Sequence, residues 1–176
     1  SPPTHDMGAT HSTPKVLVLG TPGAGRKTLM RALSKDAALD LVPSLEADDT
    51  ADAVVYVLDA TAPSDWAGES SKILATLHSV NKALGRLVPL LVCVNKRDVE
   101  GSAPARQVVE NLRLSGDVCA AVGGRVWRVV DCSAVGDVAD VRKALLKMVA
   151  NGQKPMGILA PKFLRYGASC DAPQGA

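Results

Sequence analysis

Three uninterrupted apolar runs, residues 16–19, 54–58 and 90–94, constrain the fold of this chain more than any other feature. Each run contains four or five mostly valine and leucine residues without an alternating polar one, which is typical of strands buried on both faces. Between the second and third runs, apolar residues recur at helical spacing over residues 65–83. Buried strands separated by helices predict an α/β domain with a mostly parallel sheet and helices on both faces.

The same alternation continues after residue 100. Ser102 is placed to cap a helix that holds Pro104 in its first turn. A strand is predicted at residues 126–130, and Asp137 is placed to cap a last helix that stops at Asn151–Gly152. These elements predict a sheet of about four to five strands.

Composition limits the class of protein. With 47% hydrophobic and 22% charged residues, the chain has the mixture of a globular domain, and 176 residues are enough for one. The 20 basic residues are balanced by 18 acidic ones, which argues against binding to nucleic acid. No apolar run approaches the ~20 residues of a membrane-spanning helix, so we expect no transmembrane segment.

The two ends differ from the domain predicted at residues 15–152. Residues 1–14 are rich in proline, serine, threonine and histidine, which predicts a flexible N-terminal tail. Residues 153–176 have no helical period but contain apolar residues, so this irregular C-terminal tail either packs back on the sheet or docks on a partner protein. Met7–Gly8 would signal acylation, and hence membrane association, only if Met7 were the true N-terminus.

Four cysteines lie far apart in the sequence: Cys93, Cys119, Cys132 and Cys170. They form no C-x-x-C pair and have no histidine cluster beside them, so we predict no metal site. Two of them fall in apolar runs. This placement indicates buried reduced thiols and a reducing, cytoplasmic compartment.

A glycine-rich loop follows the first predicted strand, where the next helix begins. Gly20 and Gly25 have the spacing of a phosphate-binding loop, and Gly23 lies between them. Such a loop lets backbone N–H groups converge on phosphate oxygens at a helix N-terminus. Arg26 follows where this pattern usually has lysine, and its guanidinium can neutralise phosphate charge.

The next two residues depart from the usual pattern, although we include both among the phosphate-binding candidates. Lys27 replaces the serine or threonine whose hydroxyl binds Mg²⁺, and Thr28 comes one residue late. We hypothesise that the Lys27 ammonium occupies the space of the metal ion, which would give weak, metal-independent nucleotide binding. The alternative is a glycine turn that binds no ligand.

A second loop has the residues needed to recognise guanine. The third apolar run leads directly into Asn95, Lys96 and, two residues later, Asp98. The Asp98 carboxylate can accept hydrogen bonds from guanine N1 and its exocyclic amine, which adenine does not offer. The Asn95 amide can brace the loop, and the Lys96 stem can lie along the base. Ser133 and Ala134 follow the next predicted strand, and their backbone can donate to the base carbonyl.

Other polar residues show no recognisable pattern. His5, His11 and His78 are too scattered to form a metal or catalytic site. Asp59, at the end of the second apolar run, either reaches the same crevice or caps the following turn. We predict no catalytic residue and no metal ligand.

Together these segments resemble a small GTPase of the Arf-like branch over about two thirds of the chain, residues 15–33 and 53–150. The resemblance implies a P-loop G-domain fold with GTP or GDP as ligand. By this resemblance, Lys27 falls on the metal-ligand position with the wrong chemistry for Mg²⁺. The resemblance also places phosphate contacts on Gly20, Gly25 and Arg26, and guanine contacts on Asn95, Lys96, Asp98, Ser133 and Ala134.

The segment between Thr28 and Ala53 is too short for the switch region of that family. Its 24 residues finish a helix and would then have to hold a loop, two strands, a D-x-x-G turn and a second helix, which need over ~30 positions. Residues 36–52 contain no D-x-x-G, no glutamine and no glycine. We expect at most a short strand at residues 39–42 and a helical turn at residues 44–50, so part of the family's β2–β3 region should be missing.

These observations favour a pseudo-GTPase that acts as a protein-interaction module in a larger assembly, with weak or no GTP/GDP binding. The alternative is a slow GTP- or GDP-binding Arf-like protein in trafficking or ciliary function. A nucleoside kinase would share the phosphate loop but would not need the guanine-reading loop. We expect a cytoplasmic location, extending to a cilium, a flagellum or an endomembrane surface. The shortened sheet should leave an edge that a partner or the C-terminal tail covers.

Overall fold

Five parallel strands form one sheet within the residues that the structure, a computed structural model, describes: 13–35, 38–44, 50–66, 68–86, 88–112 and 127–152. The strands are β1 (Lys15–Gly20), β2 (Asp40–Val42), β3 (Ala53–Asp59), β4 (Leu90–Asn95) and β5 (Trp127–Asp131). Their order across the sheet is β2-β1-β3-β4-β5, and every neighbouring pair is parallel. The predicted α/β fold with four to five strands is confirmed.

Helices cover both faces of this sheet. They are α1 (Arg26–Leu33), α2 (Glu69–Leu84), α3 (Ala105–Asn111) and α4 (Ala139–Gly152). Buried residues of α1 and α4 share one core cluster, and those of α2 and α3 share the other. Along β3, Val54, Tyr56 and Leu58 enter one cluster, whereas Val55 and Val57 enter the other. Burial on both faces explains why this run is apolar without alternation.

β2 is a three-residue strand at the edge of the sheet. Asp40 pairs with Lys15, and Val42 pairs with Leu17. β2 therefore stops three residues before the carboxyl end of β1 at Gly20, about 10 Å short at a rise of ~3.3 Å per residue. The strand predicted at residues 39–42 is confirmed, but most of the helical turn predicted at residues 44–50 lies outside the described residues.

The connections on either side of β2 are short. Residues 34–39, six in all, join α1 to β2, and residues 43–52, ten in all, join β2 to β3. Two strands, their hairpin and a helix do not fit into connections of these lengths. The shortening that the sequence predicts in this region is therefore present in the fold.

Ser102 does not cap α3, so that prediction was wrong. Arg97 Nη1 donates to the Ser102 carbonyl and hydroxyl oxygens at 2.5 and 2.7 Å, and Pro104 takes the N-cap position. The Ala105 N–H, the first of the helix, donates instead to Asp131 Oδ1 at 3.0 Å. The acceptor comes from the end of β5, and a local sequence pattern does not reveal such a partner.

Other boundaries differ less from the prediction. The helix expected at residues 65–83 is divided into a short 3₁₀ turn, Pro63–Trp66, and α2, because Gly68 adopts the left-handed region at φ +85°. β5 ends one residue later than predicted, at Asp131, and residue 126 lies outside the described residues. Asp137 Oδ1 accepts the N–H of Ala139 at 2.8 Å, as expected of a residue that stabilises the start of α4.

Two of the four cysteines lie in the described residues, and both are buried and free: Cys93 and Cys132. A hydrogen bond with Cys132 and burial raise the pKa of the Cys93 thiol, which keeps it protonated and unreactive. The tails predicted at residues 1–14, apart from 13 and 14, and at 153–176 lie outside the described residues, as do Cys119 and Cys170.

A buried hydrogen bond joins the centre of β3 to the start of α2. The Tyr56 hydroxyl donates to Glu69 Oε2 at 2.8 Å, and Lys72 Nζ lies 2.5 Å from Oε1 of the same carboxylate. Glu69 is only 1% exposed. Burial raises the pKa of Tyr56, and its hydrogen bond to the Glu69 carboxylate and the charge of that group raise it further. Tyr56 therefore remains a protonated donor at neutral pH.

Replacing Tyr56 with phenylalanine should lower the free energy of unfolding by about 1–2 kcal/mol at pH 7, because Glu69 loses a charge-assisted hydrogen bond. The folded pKa of Tyr56 lies above its unfolded value of about 10, so the stabilisation is present below pH 10 and is lost as the pH rises further. Urea unfolding between pH 7 and 11 should show a difference between the wild type and Tyr56→Phe that narrows above pH 10. A difference that widens there would contradict this assignment.

Candidate nucleotide site

Four strands end at the same edge of the sheet. β1 ends at Gly20, β3 at Asp59, β4 at Asn95 and β5 at Asp131. Because these strands are parallel, the residues that follow them meet at the carboxyl edge, where open α/β sheets have their binding crevice. The glycine loop, the 95–98 loop and the 133–134 loop are therefore neighbours, as the sequence predicted.

The glycine loop begins with a close approach to β3. The Thr21 N–H donates to the Val57 carbonyl at 3.3 Å, and a Cβ at Gly20 would lie 2.5 Å from that same oxygen. A side chain at Gly20 would therefore force β1 and β3 apart. Within the loop, the Ala24 N–H donates to the Thr21 carbonyl at 3.2 Å and closes a turn.

Gly25 ends the loop as the N-cap of α1. Its φ of +85° lies in the left-handed region, and a Cβ there would lie 2.4 Å from Asn95 Nδ2. Gly23 also has a positive φ, +79°, but no other atom lies within 4 Å of the position its Cβ would take. Conformation and space both require glycine at position 25, whereas conformation alone favours it at position 23.

The Asn95 side chain joins two loops beneath the crevice. Its Nδ2 donates to the Ala24 carbonyl at 2.8 Å, and its Oδ1 accepts the Ala134 N–H at 2.8 Å. The Cys132 thiol lies 3.7 Å from the same Oδ1. Asn95 is 2% exposed, so these bonds form away from water. The amide thus braces the glycine loop against the loop after β5, and the Ala134 N–H is engaged in this brace.

Lys96 extends across the strand ends to Asp59. Its Nζ lies 2.5 Å from Asp59 Oδ2, and Asp59 Oδ1 accepts the Thr61 N–H and hydroxyl at 2.9 and 2.6 Å. Burial alone would raise the pKa of Asp59, but the hydrogen bonds from Lys96 and Thr61 outweigh it, so the pKa lies below its usual value. Asp59 is therefore a carboxylate at neutral pH and both reaches the crevice and stabilises the following turn, the two roles that the sequence left as alternatives.

Asp98 and Ser133, in the loops after β4 and β5, are joined by a hydrogen bond. The Ser133 hydroxyl donates to Asp98 Oδ1 at 2.6 Å, and Asp98 itself is exposed. Between Lys96 and Asp98, the Arg97 N–H donates to the Cys132 carbonyl at 3.1 Å, and the Arg97 side chain turns away to Asp131. An exposed carboxylate that is oriented by a hydroxyl is suited to accept the N–H groups of a base edge.

The first two residues of α1 carry cationic side chains. Arg26 is half-buried, and Lys27 and Thr28 are exposed. An ammonium cannot ligate Mg²⁺, which prefers carboxylate, hydroxyl and water oxygens. No group of three or more histidine, cysteine, aspartate or glutamate side chains among the described residues could hold a metal ion. Lys27 therefore supplies a positive charge, and no metal ligand, at the position where the phosphate-loop pattern has a Mg²⁺-binding hydroxyl.

Sequence reasoning raised Asp59 only as one of two alternatives and did not include Cys132 among the site residues. The signal for Asp59 was its position directly after the second apolar run, whereas its register opposite Asn95 is known only from the structure. Cys132 directly precedes two predicted site residues, but its thiol gave no sign that it would contact the Asn95 amide.

Within the described part of the chain, no helix is both long and apolar enough to cross a membrane.

Gly25 and Gly23 offer a matched test of the loop geometry. Gly25→Ala should lower the free energy of unfolding by about 2–4 kcal/mol, because the strained φ is combined with displacement of the buried Asn95 amide. Gly23→Ala introduces the same strain without a clash and should cost about 1 kcal/mol. Urea unfolding of both variants measures the difference. Equal losses would show that Asn95 does not depend on the space at Gly25.

Comparison with known proteins identifies the family. Residues 48–151 match the model of the ADP-ribosylation factor family. ADP-ribosylation factor-like protein 3 of Chlamydomonas reinhardtii is 30% identical over 150 residues, covering 68% of this chain and 80% of that protein. The protein of the same name from Pongo abelii is 25% identical over 131 residues, covering 69% of this chain and 76% of its own.

Solved structures agree on the fold. The Arl6 BBS3 small GTPase of Trypanosoma brucei, with the bound nucleotide analogue GppNp, superposes with a TM-score of 0.62 at 17% identity, covering 80% of this chain and 99% of that one. The signal recognition particle receptor SRb-GDP-Mg of Chaetomium thermophilum gives 0.59 at 18% identity, covering 78% and 99%. The chain belongs to the ADP-ribosylation factor family and has an Arf-like small GTPase fold.

Proposed function

We propose that this Arf-family protein is a pseudo-GTPase: it binds GTP or GDP weakly and without Mg²⁺, hydrolyses neither, and acts as an interaction module in a larger assembly. The observation that carries this proposal is a contrast within one fold. At the predicted guanine-binding side of the site, here called the base side, Asn95 joins the glycine loop to the loop after β5 by two buried hydrogen bonds. At the opposite edge of the sheet, β2 has only three residues and short connections.

The base side supports retained recognition of guanine. Asn95 holds the two loops in place, and Ser133 orients the Asp98 carboxylate at the mouth of the crevice. With Oδ1 bonded to Ser133, Oδ2 of Asp98 remains to accept an N–H group of the base. Gly20, Gly23 and Gly25 belong to the adjacent glycine loop, and Arg26 begins α1, whose N-terminal backbone N–H groups favour phosphate oxygens.

The β2 side argues against hydrolysis. In small GTPases, loops that are ordered by the γ-phosphate and Mg²⁺ position the attacking water and switch between two states. Here six residues precede β2 and ten follow it, and β2 ends level with Leu17 rather than at the carboxyl edge. Of those ten residues, 45–49 lie outside the described part of the chain. The connections on either side of β2 leave no length for a D-x-x-G turn followed by a helix.

Lys27 supports metal-independent binding. A cation at the first turn of α1 can neutralise phosphate charge directly, without the ion that a hydroxyl at this position would hold. Lys27 is exposed in the first turn of α1, and none of the ion pairs among the described residues involves it.

An edge strand supports the assembly role. β2 lies at one edge of the sheet with Asp40 exposed and Leu41 and Val42 only half-buried. Open edges of this kind are normally covered, because their backbone groups can pair with another chain. We propose that a partner protein, or residues 153–176 of this chain, covers this edge. The buried free thiols favour a reducing compartment, and we place the assembly in the cytoplasm, at a cilium or flagellum or at an endomembrane surface.

The second candidate is a slow GTP/GDP-binding protein of trafficking or ciliary function. The intact base side favours it, as do structural neighbours that hold GppNp or GDP with Mg²⁺. The two candidates differ in affinity and in the response to metal. Tight, Mg²⁺-dependent GTP binding would favour this second candidate.

Titration of the full chain with GDP and GTP, in Mg²⁺ and in chelator, tests the proposal. We expect weak binding whose dissociation constant changes less than about twofold on removing Mg²⁺, since Lys27 supplies the positive charge. Lys27→Thr restores a metal-binding hydroxyl and should make binding at least about fivefold tighter in Mg²⁺ than in chelator. Lys35→Thr, the same change in an exposed lysine after α1, is the control and should behave like the wild type.

Two results would contradict the proposal. The first is wild-type binding that chelator abolishes and Mg²⁺ restores. The second is release of phosphate from GTP by the purified chain, above the rate of a Lys96→Ala control. Failure to bind either nucleotide up to millimolar concentration would leave only the assembly role.

A further inference from the structure

We infer that Asp59 is a positioning residue for guanine recognition: by holding the Lys96 ammonium on β3, it fixes the Lys96 stem across the crevice as the surface on which the base lies. This inference rests on the proposed binding of guanine nucleotides and names a residue outside the family's base-reading loop. It concerns orientation and not contact with the ligand.

The backbone places the two residues on neighbouring strand ends. Asp59 is the last residue of β3 and pairs in register with Asn95, the last residue of β4. Lys96 follows at φ +68°, the only positive φ of a non-glycine residue among those described. This conformation turns the chain sharply at the end of β4, and the side chain then reaches back to β3, where its Nζ lies 2.5 Å from Asp59 Oδ2.

Asp59 is itself held in place. One carboxylate oxygen accepts two hydrogen bonds from Thr61, and the Asp59 carbonyl accepts the Trp66 Nε1–H at 3.1 Å. The Asp59 side chain is 17% exposed, against 36% for Lys96. The more mobile partner of the pair is therefore anchored to the more rigid one, and the low pKa of Asp59 keeps the anchor charged at neutral pH.

Anchoring has two consequences for a bound nucleotide. A free lysine side chain samples many rotamers and loses them when a base settles on its stem, whereas an anchored stem has already lost them. The ion pair also cancels the negative charge of Asp59, which would otherwise repel phosphates. Base contact and phosphate repulsion can be separated by comparing guanosine, which has no phosphate, with GDP.

The test measures guanosine and GDP binding to the full chain for the wild type, Asp59→Asn, Lys96→Met and the double variant. Asp59→Asn should weaken guanosine binding about 3–10-fold, because the ammonium loses its anchor. Its effect on GDP should be equal or smaller, since a negative charge near the phosphates is also removed. Lys96→Met keeps the stem without the ammonium, so adding Asp59→Asn to it should cause no further loss for guanosine.

Asp52→Asn is the matched control, because it breaks the ion pair with Arg86 near the amino end of β3. It should leave both affinities unchanged, and thermal unfolding should show all variants folded. Unchanged guanosine binding in Asp59→Asn, or unchanged guanosine binding with tighter GDP binding, would overturn the inference; the latter would mean that Asp59 withholds Lys96 from the phosphates. A wild type that binds neither ligand would instead refute the proposed nucleotide binding, and the inference with it.

Discussion

The buried amide of Asn95 is the interaction on which the rest of the site depends. It connects residues 71 and 39 positions away, Ala24 and Ala134, through one donor and one acceptor. Because the amide is shielded from water, losing either bond would leave a buried polar group unsatisfied, at a cost of about 1–3 kcal/mol. The two loops therefore cannot move independently. Gly25 is part of the same constraint, since only glycine leaves space for the amide.

The edge of the sheet formed by β2 is subject to a different constraint, the length of its connecting loops. A loop that responds to a third phosphate needs enough length to exist in two arrangements, and it must reach the carboxyl edge. β2 ends level with Leu17, below that edge, and its connections are short. Yet the five described strands form one sheet, and helices pack on both of its faces. The core is therefore packed on both faces of the sheet although the connections on either side of β2 are short.

Much of this architecture could be predicted from the sequence because its signals are local. Uniform apolar runs indicate β1, β3 and β4, and the shortness of the segment between Thr28 and Ala53 indicates that the β2 edge of the sheet is shortened. Contacts between distant segments gave no such signal. The Asp131 acceptor for α3 and the Lys96–Asp59 pair depend on how strand ends lie beside each other, which propensity and spacing do not encode. The same reason explains why Ser102 was mistaken for the cap.

Under the pseudo-GTPase role proposed above, the shortness of residues 34–39 and 43–52 has a consequence for how long a complex would last. A signalling G protein releases its partner when hydrolysis of the terminal phosphate changes the contact surface. The rate of hydrolysis therefore limits the lifetime of each complex. A contact surface that is not coupled to hydrolysis would not change while the partner is bound. Residence would then follow only concentration and affinity, and disassembly would need an outside agent such as a competitor, a modifying enzyme or degradation of a subunit.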